Sequence, residues 1–350
     1  MNAIWGFLLA LLLALLGESL AARVAPLLGL QKGAISGIMM AILLGILVNN
    51  LVRLPDAIRP GIRFSVVRIL RLGIVLLGIR LSIVEAGAIG LKSLPVIVGT
   101  VLAALAIVTF VSRRVGLTDR LGTLIAVGTS ICGATAIVAT APTIGAHDDE
   151  TSYAVACITL FGVAAMLVYP FLAHWLFAAD SFRSGMFLGT AVHETAQVAG
   201  AGLVYQQYFN DPKALDVATV TKLVRNLSML IVIPLMAVLY HRRASEGGAP
   251  PKWYTMVPLF IVGFAAMSLL RTLGDLGERP FGFLDPGQWQ AFVAFVKQIA
   301  TYCLAVAMAA VGLGTSLKGL ARIGFRPLGV GLFSALLVGL VSFVLVTLLY

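Results

Sequence analysis

Charge is what this sequence has least of. Only 11% of its 350 residues are Asp, Glu, Lys or Arg, where soluble domains carry roughly 25%. A water-facing surface cannot be built from so few charges, so a soluble fold is excluded. Cysteine is nearly absent too. Cys132, Cys157 and Cys303 all lie inside apolar stretches without metal-site spacing, and they read first as small core residues. Catalytic motifs are missing: there is no Gly-x-Ser-x-Gly, no His-Glu-x-x-His and no paired intramembrane aspartate. Cys132 or Ser130 with His193 is then a poor basis for an intramembrane enzyme. The expectation is that the chain is not an enzyme and carries no cofactor or metal. No Lys or Arg precedes Arg23, so the positive start of a signal peptide is lacking, and Ile4 to Leu16 is expected to be a retained first span.

What fills the sequence instead is apolar length. It is 60% hydrophobic, in runs long enough for membrane helices, which need about 18 apolar residues or more. Pro327 to Tyr350 and Leu94 to Ser112 hold no charge, and Thr151 to Ala179 holds no Lys or Arg. The pattern predicts an all-α polytopic membrane protein of roughly eleven transmembrane helices, near 3–20, 35–52, 64–82, 93–112, 121–145, 152–178, 184–205, 217–240, 254–271, 288–314 and 327–350. A single membrane domain over 1–350 is expected.

The net charge of +10 does not point to nucleic acid, because the basic residues sit in short connections, where they set orientation. With a cytoplasmic N-terminus, that side holds Arg53, Arg59, Arg63, Arg113, Arg114, Arg120, Arg183, Arg242, Arg243, Lys252, Lys318, Arg322 and Arg326. The other side holds Arg23, Lys32, Lys92, Lys213, Arg271 and Arg279, with the acidic run His147 to Glu150. The asymmetry predicts a multi-pass protein with its N-terminus in the cytoplasm.

Two internal matches suggest repeats. Gly78-Ile79-Arg80-Leu81-Ser82 recurs as Gly312-Leu313-Gly314-Thr315-Ser316, and Ile89-Gly90-Leu91-Lys92 as Ile323-Gly324-Phe325-Arg326. An odd offset in spans would make these copies inverted, with halves near 35–178 and 184–350. The second match aligns Gly128-Thr129-Ser130-Ile131-Cys132-Gly133 with Gly189-Thr190-Ala191-Val192-His193-Glu194. By span count this pair is not inverted. Either one match is chance or one segment is re-entrant.

The same segments carry the candidate chemistry. Gly128, Thr129, Ser130, Cys132 and Gly133 are small or hydroxylic, so a helix can break there and turn freed amides toward an anion. Close helix packing through small residues is the competing reading. Gly189 opens the second copy. Thr190, His193, Glu194 and Gln197 follow at i, i+3, i+4 and i+7, which would put all four on one helical face. Ionisable residues at membrane depth are functional candidates, and His193 or Glu194 would carry a coupling proton. Lys222, Arg225 and Asn226 share a face of the next span, where the two cations would hold an anion, with a salt bridge to Glu194 as the alternative. Arg80 and Glu18 read as interfacial, and Lys297 as a partner for an acid.

At these motifs the chain resembles the YeiH-like family, whose members carry the label of sulfate exporters. The resemblance rests on Gly128 through Pro142, on His193-Glu194-x-x-Gln197-Val198, on Lys222-x-x-Arg225 and on Ala310-Val311-Gly312-Leu313-Gly314-Thr315, and it covers essentially the whole chain. Asn226-Leu227-Ser228 departs from an expected apolar continuation. The resemblance implies a fold shared with sodium/proton antiporters and bile-acid transporters, with inverted repeats and two crossing, broken helices. It implies a secondary active transporter that exports a small anion such as sulfate or an organosulfonate, coupled to H+ or Na+, in a bacterial inner membrane. Related folds often dimerise, so the resemblance makes a homodimer the expected assembly, although the sequence itself carries no mark of one. A passive anion channel, using the same basic residues without coupling, is the alternative.

Overall fold

The computed structural model describes residues 2–27, 36–52, 54–241, 259–276, 279–282, 284–315 and 324–350. Among these residues the chain is helical and holds no strand. The helices are α1 (Asn2–Leu27), α2 (Gly37–Leu51), α3 (Arg59–Phe64), α4 (Leu70–Leu77), α5 (Ile83–Ala103), α6 (Thr109–Arg114), α7 (Asp119–Ser130) and α8 (Ala134–Thr140). They continue as α9 (Asp148–Leu176), α10 (Ser181–Ala191), α11 (Thr195–Phe209), α12 (Pro212–Asn226), α13 (Met229–His241), α14 (Leu259–Gly274), α15 (Pro286–Gly314) and α16 (Phe325–Leu349). Lys32, Arg53, Arg242, Arg243, Lys252, Lys318 and Arg322 of the orientation argument, and Ser316 and Ile323 of the first repeat, lie outside the described residues.

Six helical stretches are long and apolar enough to cross a membrane: Ile4–Val24, Ile83–Arg114, Asp148–Leu176, Pro212–Tyr240, Pro286–Gly314 and Phe325–Leu349. Gly37–Leu51, Ala134–Ile144 and Leu259–Gly274 are shorter and apolar. The predicted spans 121–145 and 184–205 are each interrupted. The first divides into α7 and α8, the second into α10 and α11. The starts of these pairs are fixed locally. Thr118 accepts from the Leu121 amide at 3.2 Å ahead of α7, and Asp180 accepts from the Phe182 and Arg183 amides at 2.9 Å ahead of α10, so orphan donors of both first turns are satisfied.

The chain forms two compact units, interleaved in sequence. The first takes the described residues of Met1–Leu91, Gly202–Asp216 and Pro258–Ser316; the second takes those of Lys92–Ala201, Val217–Val257 and Leu317–Tyr350. In the first unit α2 packs on α1 and α15, and α4 packs on α15. Where α2 meets α15 there is no room for a side chain: a Cβ on Gly312 would strike the Ile42 carbonyl oxygen and the Gly45 Cα. Membrane helices gain association energy by such close backbone approach. Asn49 and Asn50 each donate to the Thr315 carbonyl at 3.0 Å, closing the end of α15. Arg80 pairs with Asp216 and donates to the Pro212 carbonyl at 3.2 Å.

In the second unit α9 packs on α7 and α16, and α10 packs on α16. Leu124, Ile125, Val127, Ile131, Ile137, Ile158 and Ile233 belong to one apolar cluster. Beside it the unit buries an unusual set of polar side chains, including Thr129, Ser130, Thr190, His193, Gln197, Thr221, Lys222, Arg225 and Asn226.

Candidate functional site

The two breaks match residue for residue. α7 ends at Ser130 and α8 resumes at Ala134; α10 ends at Ala191 and α11 resumes at Thr195. The aligned pairs from sequence, Ser130 with Ala191 and Gly133 with Glu194, therefore mark the same points of two three-residue interruptions. Thr190, His193, Glu194 and Gln197 consequently do not share one helical face. That expectation assumed a continuous helix, whereas Val192 is extended at φ −82°, ψ 139°, which places Thr190 at the end of one half-helix and Gln197 in the first turn of the next. Gly133 supplies the turn in the first break with φ +70°, ψ −130°, a conformation open to glycine and strained for any other residue. A Cβ there would also strike the Glu194 side chain.

A helix that stops inside a membrane protein leaves carbonyls without amide partners at its C-terminal end. Here α12 supplies the donors. The Arg225 guanidinium donates through Nε to the Ser130 carbonyl at 2.7 Å, through Nη1 to Thr190 at 2.5 Å and Val192 at 3.3 Å, and through Nη2 to Thr129. The Lys222 ammonium donates to Ile131 at 2.8 Å, to Val192 at 3.2 Å and to His193. Both side chains are fully buried. Their i, i+3 spacing on α12 aims one charge at each level of the paired breaks. Cations at helix C-termini also meet the negative end of the backbone dipole. The bond partners of Lys222 and Arg225 are thus main-chain oxygens, where a salt bridge from Lys222 or Arg225 to Glu194 was the sequence-based alternative.

The N-terminal ends across the breaks are met by acceptors. The Glu194 carboxylate accepts from the Ala134 amide at 3.4 Å and from the Thr159 hydroxyl at 3.1 Å. Gln197 accepts from the Glu194 amide and donates to the Thr159 carbonyl, each at 3.1 Å. Thr159 escaped the sequence reading because a lone hydroxyl on an otherwise apolar α9 carries no signal. Asp216 escaped it by falling just outside the predicted span, although an acid so close to membrane depth is itself a pointer.

The remaining candidates divide. Gly128 faces Ile137 and Ile158, and Gly189 faces Thr221 and the Ala218 carbonyl, each too closely for a Cβ; the packing reading accounts for both. The Ser130 hydroxyl donates to Val127 of its own helix. Thr190 donates to Met186 at 2.7 Å and bonds the Ser342 hydroxyl at 2.5 Å. Cys132 lies 3.4 Å from the Met229 sulfur. Asn226, the last residue of α12, donates to the Thr195 hydroxyl at 3.1 Å. Its departure from the family pattern falls where α12 gives way to α13, at Leu227 and Ser228. Four buried atoms near the breaks have no hydrogen-bond partner among the described residues: both His193 ring nitrogens, the Thr129 hydroxyl and the Asn226 side-chain oxygen. Such groups are uncommon and each calls for an explanation. Among the described residues no group of three or more His, Cys, Asp or Glu could hold a metal ion.

The sequence matches the family described as Conserved hypothetical protein 698 over residues 5–331. It is 32% identical to a UPF0324 membrane protein of Fusobacterium nucleatum over 351 residues, covering 97% of this chain and 96% of that one. It is 34% identical to a UPF0324 membrane protein of Streptococcus pneumoniae over 262 residues, 75% and 74% of the two chains. A UPF0324 membrane protein of Bordetella bronchiseptica is 31% identical over 277 residues, 78% and 80% of the two. No solved structure matches.

Proposed function

The chain belongs to the Conserved hypothetical protein 698 family of UPF0324 membrane proteins, which is the family its motifs resemble, and from that premise we propose a secondary active transporter of a small anion. The observation that carries this reading is the pair of matched helix breaks gathered around Lys222, Arg225 and Glu194 in the interior of one unit. Interrupted helices are tolerated at membrane depth where they line a site, and transporters place substrate there. Two buried cations against one carboxylate leave one formal positive charge. The carbonyl bonds offset part of it, and an anion would balance the rest. Thr129, Asn226 and His193 offer it unpartnered polar atoms.

Protonation of Glu194 removes the one negative charge among these three groups. A proton on Glu194 and an anion in the breaks therefore favour the same state, which is the basis of coupling; His193 is the second candidate carrier. Sulfate and organosulfonates suit the charge, and the export direction comes from the family resemblance alone. In this reading the chain crosses a bacterial inner membrane about eleven times, with its N-terminus in the cytoplasm and inverted-repeat halves, as a homodimer.

The test is flux in proteoliposomes with radiolabelled sulfate and a small sulfonate. The wild type is expected to show saturable, pH-driven transport. Glu194→Gln is expected to abolish the pH-driven part, and His193→Gln serves as the second arm. Normal proton-driven flux through both variants removes the coupling role. Flux that never saturates and needs no gradient replaces the transporter with a passive anion channel.

A further inference from the structure

The Lys222 ammonium has three N–H donors, and three main-chain carbonyls receive them: Ile131, Val192 and His193. None belongs to the helix that carries Lys222. One break provides Ile131 and the other provides Val192 and His193, so the cage exists only because two interrupted segments converge. Carbonyls of unwound transporter helices and half-helix C-terminal ends are the ligands that coordinate a coupling cation, and carbonyl rings likewise replace the hydration shell of K+. The neighbouring carbonyls of Thr129, Ser130 and Thr190 are occupied by Arg225. Every one of these oxygens is therefore served by a charge covalently attached to the chain.

We infer that Lys222 is a tethered surrogate for a coupling cation: its ammonium fills a carbonyl cage fitted to a free monovalent cation, and the protein needs no sodium or potassium ion at this point. The coordination is that of an ion site, but the ion cannot leave. A purely structural lysine would make the same bonds, yet it differs in one respect. Removing it would leave damage that no dissolved cation repairs, whereas emptying an ion cage opens it to an ion from solution.

The experiment is thermal unfolding of the full-length protein in lipid nanodiscs, with sodium, potassium, methylammonium and choline chloride compared at equal ionic strength. Choline is too large for the cage and serves as the baseline. The wild type is expected to melt at one temperature in all four salts. Lys222→Ala is expected to melt lower in choline and to recover by about 3 °C or more in at least one of the other salts, as binding to the folded state alone requires. Lys222→Gln keeps an uncharged amide with two N–H donors, and it is expected to respond in the same order with a smaller rise; it decides the matter if the alanine variant does not fold. A wild type stabilised by sodium or potassium over choline overturns the inference, because a free cation site then exists. Folded Lys222 variants that melt identically in all four salts overturn it as well. The assay needs no substrate, so its outcome is independent of whether the transport reading stands.

Discussion

The two units solve the same problem, polar groups in an apolar setting, in opposite ways. The first leaves every described charged side chain at least partly exposed. Asn49 and Asn50 close α15, and the Arg80–Asp216 pair retains 9% and 13% side-chain exposure. Its interior is apolar, with Ile42, Ile74, Leu77, Ile79 and Trp289 buried beside close backbone contacts. The second draws Lys222, Arg225 and His193 to zero exposure and satisfies two open helix ends with side chains from a third helix. The lesson is about where stability and chemistry reside. The first unit is built from contacts any apolar bundle could make. In the second, removing one side chain strips partners from two helices at once.

The comparison is broken or sharpened most strongly by Arg225→Met. It deprives the Thr129, Ser130 and Thr190 carbonyls of their donor, at about 1 to 3 kcal/mol for each buried group left unsatisfied. Denaturation in mild detergent is expected to show a loss of about 3 kcal/mol or more. Arg80→Met in the first unit is expected to cost clearly less, and equal losses would end the distinction. Next comes Gly133→Ala, which combines a strained backbone with contact against Glu194. A loss of about 2 to 4 kcal/mol is expected. Gly314→Ala, in open space at the end of α15, is its control and is expected to stay within about 0.5 kcal/mol.

Gly312→Ala probes the first unit on its own terms. Its Cβ would strike the backbone of α2, and overpacking of this kind costs about 1 to 3 kcal/mol. A neutral outcome would show that the α2–α15 contact is looser than the rest of its unit implies. Smallest is Arg59→Ala. Its pair with Asp56 has side chains 71% and 92% exposed, and exposed pairs contribute about 0 to 1 kcal/mol. No shift in melting temperature is expected at moderate salt.

Much of this was legible in the sequence. The glycine-rich run from Gly128 marked the first interruption as a place where a helix can break, because glycine and β-branched or hydroxylic neighbours weaken a helix locally, and its match with Gly189–Glu194 set the second segment in the same register without revealing that it too is broken. The i, i+3 spacing of Lys222 and Arg225 placed them on one face of α12. The direction of their bonds was not legible. Lys222 meets Ile131 at a separation of 91 residues and Arg225 meets Thr129 at 96, and main-chain carbonyls carry no mark in a sequence. The single-face reading of Thr190 to Gln197 failed for a related reason. Periodicity assumes that the helix continues, and here distant donors stabilise its interruption. The two-unit division was hidden as well, since both units share one composition and the chain passes between them within α5, α11 and α12.

The Val192 carbonyl accepts from both Lys222, at 3.2 Å, and Arg225, at 3.3 Å. This shared oxygen ties the two cations to one point of α10's end while each also reaches the end of α7. A turn or slide of α12 would withdraw both charges together, and neither break could reshape alone. Packed interiors favour discrete arrangements over gradual deformation. The paired breaks are thus yoked like two latches on one bolt, and a movement that released one would strain the bonds of the other.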